Sequence, residues 1–381
     1  MIYYLILTLV LACAVMIPPE QQRNRNGLLI AVIMFIALVC GLRDMLGGYD
    51  NYIYGEIFDC TARDLREGVN PFQTTAMNWQ HSEKGYAMLN VAIAYLTQNR
   101  YIFLFIINAI FYVLLYYHLQ RFTRYPFIAL FIFLALYYFF TWVYLRQMLA
   151  VAVVTLAIPY AVDRKPLQFF GLVVLGVLFH SGVIMLAPLY FIANKHFTKN
   201  QLITLCILAF LLGLTPVGSI FVNLFGNPIN EDKSTDTVEG MGGVRIAYIL
   251  EAIFFSVIIF SRYEKLMLDK LGVGLMNVTF MFVLTLLAFS RFENGGRLTW
   301  CYLIGVSCLI PEIIVQAGKD IWVKYSTYAM MIWLYWRILT AWGVQLAPYK
   351  TFLTDGVREY DPIWEKYEYD HNYDDDKLYK L

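Results

Sequence analysis

Long apolar runs alternate with short polar connections along most of this chain. The runs cover residues 2–17, 27–42, 101–117, 126–145, 147–162, 167–193, 201–222, 245–260, 271–289, 298–316 and 325–343. A helix that crosses a bilayer needs about 20 residues, so several runs predict short or tilted spans. The run 167–193 is too long for one helix and carries His180-Ser181-Gly182 at its centre, so we predict two short arms that turn at His180. The pattern predicts an all-α, polytopic integral membrane protein with about 12 transmembrane helices.

The charged connections give these predicted spans an orientation. With the N-terminus outside, six connections become cytoplasmic, and each contains at least two Lys or Arg residues, as the positive-inside rule requires. They are residues 18–26, 118–125, 163–166, 194–200, 261–270 and 317–324. The weakly apolar segment 85–97 must not cross in this arrangement, so we predict an interfacial or re-entrant helix that follows an outer loop at 43–84. One membrane domain is predicted at 1–345, and an acidic, Tyr-rich outer tail at 346–381.

Composition supports a membrane protein and excludes other classes. The 381 residues are 60% hydrophobic and 17% aromatic, whereas soluble proteins are about 45–50% apolar. The net charge of +1 argues against a nucleic-acid partner, and membrane lipid is the expected surroundings. The scattered cysteines suggest neither a disulfide framework nor a metal cluster, and we interpret Asp374-Asp375-Asp376 as a solvated charge run. The absence of a Walker-type phosphate loop disfavours ATP-driven transport.

Arg146 is the most unusual residue, because it is a lone cation between two apolar runs. Inserting an arginine into a bilayer costs at least ~2.5–3.5 kcal/mol, so such a residue is expected to face a protein cavity or an anionic partner. The predicted orientation gathers other polar residues on the same outer face, namely Arg43, Asp50, Glu83, Gln147, His180, Arg245, Arg291 and Arg297, with Arg337 towards it. This grouping predicts an anionic, lipid-linked substrate. Structural interpretations remain open for Arg43, as a helix-end ion pair with Asp44, and for His180, as a satisfied histidine.

An ordered set of motifs resembles the EpsG family of Wzy-like polymerases of bacterial capsules and exopolysaccharides. The set is Gly41-Leu42-Arg43, Gly48-Tyr49-Asp50-Asn51-Tyr52-Ile53-Tyr54, Glu83-Lys84-Gly85-Tyr86, Arg146-Gln147-Met148-Leu149-Ala150 and Phe179-His180-Ser181-Gly182. The resemblance implies a glycosyltransferase of the bacterial cytoplasmic membrane whose active site faces the exterior. Its substrates would be oligosaccharide repeat units carried on undecaprenyl pyrophosphate, with no cofactor. The resemblance also allows a flippase and a chain-length regulator as partners.

This chemistry suggests roles for the outer residues. A leaving pyrophosphate needs cations, and the fork of an arginine suits phosphate oxygens, so Arg146 is the first candidate, followed by Arg291, Arg245 and Arg297. The acceptor hydroxyl needs a base, for which Glu83, Asp50 and His180 remain open. Further substrate contacts are expected from Arg43 and Gln147, and stacking on sugar rings from tyrosines and a tryptophan of the outer segment, namely Tyr49, Tyr52, Tyr54, Trp79 and Tyr86.

Three other functions remain open from the sequence. A flippase or transporter for lipid-linked oligosaccharides would also need cations, but they should line a path through the membrane. A membrane O-acyltransferase that acts on polysaccharide would use His180 as its base and would leave the surplus arginines unexplained. A scaffold of a polysaccharide-assembly complex would need no catalytic residue.

Overall fold

The computed structural model describes residues 1–215 and 243–354, except Met45, His81, Leu268, Glu293, Asn294 and Lys319, and the side chain of Tyr49. Several sequence-based predictions therefore lie outside the described residues. They are the stacking role of the Tyr49 side chain, the end of the run 201–222, most of the predicted tail 346–381 and the acidic triplet Asp374-Asp375-Asp376 within it.

Every regular element among the described residues is helical, which confirms the predicted all-α class. The longer helices are α1 (Ile2–Met16), α2 (Asn26–Gly41), α3 (Tyr49–Arg66), α4 (Lys84–Ala94), α5 (Arg100–Phe122), α6 (Pro126–Leu136), α7 (Leu145–Thr155), α8 (Pro166–Phe179), α9 (Lys199–Gly213), α10 (Ile246–Leu266), α11 (Lys270–Ala288), α12 (Trp300–Gln316) and α13 (Ile321–Ala341). Short helical turns are Pro19–Gln22, Pro71–Gln73, Thr75–Trp79, Phe140–Val143, Ile158–Val162, Ser181–Leu186, Leu189–Ile192, Gly295–Leu298 and Gly343–Leu346.

Four helical segments among the described residues are long and apolar enough to cross a membrane: Arg100–Phe122, Leu145–Val162, Ile246–Leu266 and Lys270–Ala288. Shorter apolar helices of 10–17 residues include α1, α2, α6, α8, α9 and α12. The chain is therefore a helical membrane protein. Because the shorter helices fall below the usual spanning length, the predicted number of crossings stays a prediction.

Local sequence signals explain where several helices begin. The Asn99 side chain accepts hydrogen bonds from the backbone amides of Tyr101 and Ile102 at the start of α5. At α9, Thr198 and Gln201 form a reciprocal capping box. Proline occupies the first position of α6 and α8, where its missing amide hydrogen costs no helical bond.

The short helix α6 lies at the centre of the molecule. All eleven of its residues are buried, and it packs against α1, α12 and α13. A helix that is hydrophobic on every side belongs in an interior. By contrast, α8 and α9 expose leucine and isoleucine side chains such as Leu167, Leu175 and Ile207. This outer apolar surface suits contact with lipid.

Two predicted segments differ from the structure. The apolar run 126–145, predicted as one span, is not a continuous helix, because α6 ends at Leu136 and the short turn Phe140–Val143 separates it from α7. The outer segment 43–84, predicted as a loop, contains the 18-residue helix α3 and two short helical turns. Its helix carries apolar residues such as Ile57, which packs with Ala76, Met77 and α4.

Two other local predictions are confirmed. The helix α8 ends before His180, whose backbone is extended at φ −160° and ψ 123°, and the chain continues as the 3₁₀ turn Ser181–Leu186. The segment 85–97 forms the short helix α4. Its position relative to a membrane surface stays a prediction.

Candidate functional site

Arg146, in the first turn of α7, forms a buried ion pair with Glu83, which immediately precedes α4. Its Nη1 donates to Glu83 Oε2 at 2.6 Å and to Gln80 Oε1 at 2.9 Å. The Glu83 side chain is completely buried, whereas 22% of the Arg146 side chain is exposed. Within the described residues, no acceptor is found for Arg146 Nη2. Glu83 and Gln80 therefore fix one side of the guanidinium, and its Nη2 edge can bind a ligand.

The second side of the site is formed by α3 and α4. The Arg146 guanidinium lies 5.6 Å from the centre of the Tyr54 ring, and its Nε donates to the Tyr54 hydroxyl at 3.4 Å. Tyr86 packs edge-on against Tyr54 at 5.9 Å. Burial is the main reason that the pKa of Tyr54 is raised to about 12, so its hydroxyl stays protonated. Both predicted tyrosines are thus part of the site, but their rings are buried rather than open platforms.

Asp50 occupies the first turn of the same helix as Tyr54 and lies four residues before it. Residues with this spacing share one face of a helix. Burial raises the pKa of Tyr54 most, and the charges of Asp50 and Glu83 raise it further, whereas the nearby charge of Arg146 lowers it. Asp50 is half-buried, whereas the Glu83 carboxylate is completely buried. The structure therefore brings two of the three predicted bases to the Tyr54–Arg146 pair.

His180, the third predicted base, lies at the break between α8 and the 3₁₀ turn. Its Nδ1 accepts a hydrogen bond from the Gly182 amide at 3.1 Å. A neutral imidazole with an accepting Nδ1 carries its proton on Nε2, so the ring can donate through Nε2. Burial, and then the charges of Arg146 and Arg297, lower the pKa of His180 to about 3. The next residue ties this turn to the ion pair, because the Ser181 amide donates to Glu83 Oε1 at 3.3 Å.

Arg297 extends the site across the surface next to Arg146. The side chain of Gln147 donates through Nε2 to the Arg297 carbonyl oxygen at 2.9 Å. The exposed guanidinium of Arg297 lies 4.3 Å from the centre of the Tyr144 ring and donates to its hydroxyl at 2.6 Å. The predicted residue Gln147 therefore connects the helix of Arg146 to the chain segment of Arg297.

Arg245 and Arg291 lie together beside this region. The backbone amide of Arg245 donates to the Ser290 carbonyl at 2.8 Å, which places Arg245 next to the chain segment of Arg291. Arg291 donates to the Leu214 carbonyl at 3.1 Å. The link to Arg297 is Tyr248, whose ring lies under Arg245 at 5.9 Å and whose hydroxyl accepts from the Gly296 amide at 3.2 Å. The predicted cations thus occupy adjoining segments.

Arg43 does not join this group. Its guanidinium is completely buried and donates to the carbonyl oxygens of Cys40, Leu46 and Trp142, to the Asn51 side chain and to the Cys40 sulfur. These bonds occupy all five of its N–H groups. The predicted substrate contact of Arg43 is therefore not supported by its position, which is that of an interior structural residue.

Sequence reasoning missed two residues that shape the site. Gln80 accepts a bond from Arg146 and is 1% exposed, and Tyr144 lies beneath Arg297. Each lies within three residues of a predicted site residue, which is the signal that could have found them. Among the described residues, no group of three or more His, Cys, Asp or Glu side chains is arranged to hold a metal ion.

Comparison with known proteins identifies the family of this chain. No curated protein and no solved structure matches this chain. A family model described as the EpsG family matches residues 27–351, which include Arg146, Glu83, Asp50, His180 and the three surface arginines. The chain therefore belongs to the EpsG family.

Proposed function

We propose that this protein is a polysaccharide polymerase that joins oligosaccharide repeat units carried on undecaprenyl pyrophosphate, at the outer face of the bacterial cytoplasmic membrane. The main support for the proposal is the way in which the Arg146 guanidinium is held. A buried carboxylate fixes one side of its guanidinium, and the Nη2 edge has no acceptor among the described residues. A preorganised cation of this kind stabilises charge that develops on a leaving group.

The adjoining arginines supply the further positive charge that two lipid pyrophosphates require. Glu83 compensates the charge of Arg146, so binding of the substrate anions depends also on Arg297, Arg245 and Arg291. Gln147 connects the helix of Arg146 to the segment of Arg297, and Tyr248 connects that segment to Arg245. In this proposal Arg146 stabilises the departing pyrophosphate of the donor, while the surface arginines hold the phosphates of donor and acceptor.

We assign the role of general base to Asp50, because this residue is half-buried and an acceptor can reach it, whereas the Glu83 carboxylate is completely buried and paired with Arg146. In the proposed step, the acceptor hydroxyl oxygen bonds to the anomeric carbon of the donor sugar. The bond from that carbon to the pyrophosphate oxygen breaks, and the hydroxyl proton passes to Asp50. His180, protonated on Nε2, donates a hydrogen bond to the substrate.

The distribution of charges favours an enzyme over a transporter. A conduit through the membrane would need cations along its length, but Arg337, near the C-terminal end of α13, is paired with Glu251 of α10 at 3.2 Å. That pair lies outside the Arg146 group. The acyltransferase alternative is disfavoured because the Nδ1 atom of His180 already caps the 3₁₀ turn.

The test compares Arg146 with a matched arginine elsewhere. Arg121 also donates to a tyrosine hydroxyl and lies 5.7 Å from that Tyr117 ring, but it is at the far end of α5. We expect Arg146→Ala to lower the rate of chain lengthening by purified protein by about 100-fold or more, and Arg146→Lys to restore only part of it. Arg121→Ala and Arg121→Lys should retain the native rate.

Polymer length on gels and lengthening of labelled lipid-linked repeat units are the two readouts. Normal polymer from Arg146→Ala at matched protein abundance would contradict the role of Arg146. If deletion of the protein instead leaves repeat units on the cytoplasmic side, and purified protein moves them across liposomes without lengthening them, the protein is a transporter.

A further inference from the structure

The backbone carbonyl of Trp142 lies at the chain break before Arg146, and its hydrogen-bond partners are unusual. In an uninterrupted helix this oxygen would accept from the amide of Arg146, four residues later. Here the chain bends at Tyr144, with φ −106° and ψ 69°, and α7 begins at the next residue. The Trp142 carbonyl is instead bound by two side chains from the segment before and at the start of α3.

Both donors are completely buried amide or guanidinium groups. Asn51 Nδ2 lies 2.7 Å from the Trp142 oxygen, and Arg43 Nη2 lies 3.0 Å from it. The same two side chains also bind the Leu46 carbonyl, at 2.9 Å and 2.7 Å. Arg43 Nη2 further donates to Asn51 Oδ1 at 3.3 Å. Two chain segments about a hundred residues apart are thus joined through one carbonyl oxygen.

Gly47 allows the two segments to approach this closely. Its φ of +118° lies in a region that favours glycine, and a Cβ atom added there would be 2.3 Å from the Trp142 oxygen and 2.2 Å from Asn51 Nδ2. The same residue is held from the other side, since its amide donates to the Gln345 carbonyl at 2.9 Å. The Asp44 amide likewise donates to the Lys350 carbonyl at 3.0 Å. The segment after α13 therefore supports the turn that carries Gly47.

We infer that Arg43, Asn51 and Gly47 are positioning residues that fix the start of α7 and thereby the direction of Arg146. The inference rests on the proposed polymerase function for its catalytic consequence, but not for its structural one. It explains why the cation Arg43 is buried. Its guanidinium donates to the Trp142 carbonyl oxygen, which lacks its helical amide donor because the helix is broken. It also explains why asparagine follows Asp50: the first residue belongs to the site, and the second holds the opposite segment.

The most direct test is Asn51→Asp, which preserves the shape of the side chain and the acceptor for Arg43 but removes the donor to the Trp142 and Leu46 carbonyls. The matched control is Asn277→Asp in α11. Asn277 is also buried and donates to the backbone carbonyls of Ile192, Ala193 and Lys195, so it has the same chemistry away from Arg146.

Three measurements on purified full-length protein separate positioning from general stability. They are hydrogen exchange of a peptide spanning residues 137–148, kcat and KM for lengthening of a lipid-linked repeat unit, and the thermal unfolding midpoint. For Asn51→Asp we expect faster exchange in 137–148 and a kcat at least 10-fold lower, with a smaller change in KM. Asn277→Asp should leave that exchange unchanged and kcat within 2-fold of native, even if its unfolding midpoint falls as much as that of Asn51→Asp.

Two results for Asn51→Asp would count against positioning. Unchanged exchange and unchanged kcat in Asn51→Asp overturn the inference, as does a loss of kcat no larger than in Asn277→Asp at the same unfolding midpoint. If Asn51→Asp does not fold, Asn51→Ala removes the donor without adding a charge and is judged by the same measurements. If exchange rises but native protein lengthens no lipid-linked unit, the polymerase proposal fails while the positioning inference stands.

A double substitution adds a check on the route of the effect. If Asn51 acts through Arg146, then Asn51→Asp should cost much less in a protein that already carries Arg146→Lys. Equal fold losses in the two backgrounds would show that Asn51 affects the rate independently of Arg146, and would overturn the inference.

Discussion

Glu83 and Arg146 are separated by 63 residues along the chain, yet they form the closest charged pair of the site, at 2.6 Å. A completely buried carboxylate needs a cation and hydrogen-bond donors, because burying an unpaired charge is costly. The sequence could therefore predict that each residue has a partner. It could not identify the partner, because the pairing depends on how α4, α7 and the His180 turn come together.

His180 gives a prediction about which ring nitrogen matters. The side chain of Asn can replace Nδ1 as the acceptor for the Gly182 amide, whereas Gln can present a donor near the position of Nε2. If Nε2 donates to the substrate, His180→Gln should keep at least 10-fold more lengthening activity than His180→Asn. The measurement is the lengthening rate at matched protein abundance, and the reverse order would show that only the cap is required.

The pH dependence of stability checks whether His180 is neutral in the folded protein. The folded pKa of His180 is about 3, below the ordinary value of 6.5, so an unfolded chain takes up a proton that the folded protein does not. Stability should therefore fall as pH decreases below about 6.5, and His180→Gln should remove part of that decrease in the unfolding temperature. An identical pH dependence in both proteins would contradict the lowered pKa.

At the scale of elements, apolar periodicity located helices well and their interruptions poorly. The break at His180 was predictable, because a polar His-Ser-Gly sequence interrupts an apolar run that is too long for one helix. The break after Leu136 follows from no such local signal, since Tyr137 to Val143 are almost all apolar or aromatic. A second break follows at Tyr144, where side chains from a distant segment, Arg43 and Asn51, bind the Trp142 carbonyl.

The contact between α4 and α8 depends on Gly85. A Cβ atom at this position would lie 2.9 Å from both the Cβ and the carbonyl oxygen of Leu178, two residues before His180. This close approach brings Glu83 within reach of the Ser181 amide. We expect Gly85→Ala to separate the two helices, to destabilise the protein by about 1–3 kcal/mol, and to lower the lengthening rate at least 10-fold.

Gly171 provides the matched control, because it lies in α8 and an added Cβ would meet nothing within 4 Å. Gly171→Ala should keep the native rate and leave stability unchanged or higher by up to about 1 kcal/mol, since alanine favours a helix. Thermal unfolding and the lengthening assay measure both effects. Native activity in Gly85→Ala would show that the spacing of α4 and α8 does not control the site.

For the whole molecule, the site combines residues from both halves of the chain. The outer segment contributes Asp50, Tyr54 and Glu83, the middle contributes Arg146 and His180, and Arg297 comes from the segment between α11 and α12. The charge pattern of the connections predicted that these residues share one face. Their contacts bring these residues together in one region. Which side of the membrane this region faces is a separate question.

Cysteine labelling in intact cells answers that question. Five of the six cysteines lie in apolar helices, so a Cys60→Ser protein offers a low background for a membrane-impermeant thiol reagent. Glu67 and Lys165 are both exposed, the first just after α3 and the second just before α8. In that background, Glu67→Cys should be labelled in intact cells, whereas Lys165→Cys should be labelled only after the membrane is opened. Labelling in the opposite order would place the segment that carries Asp50, Tyr54 and Glu83 in the cytoplasm. Repeat units on the outer face could not reach a site there, so the polymerase proposal would be wrong.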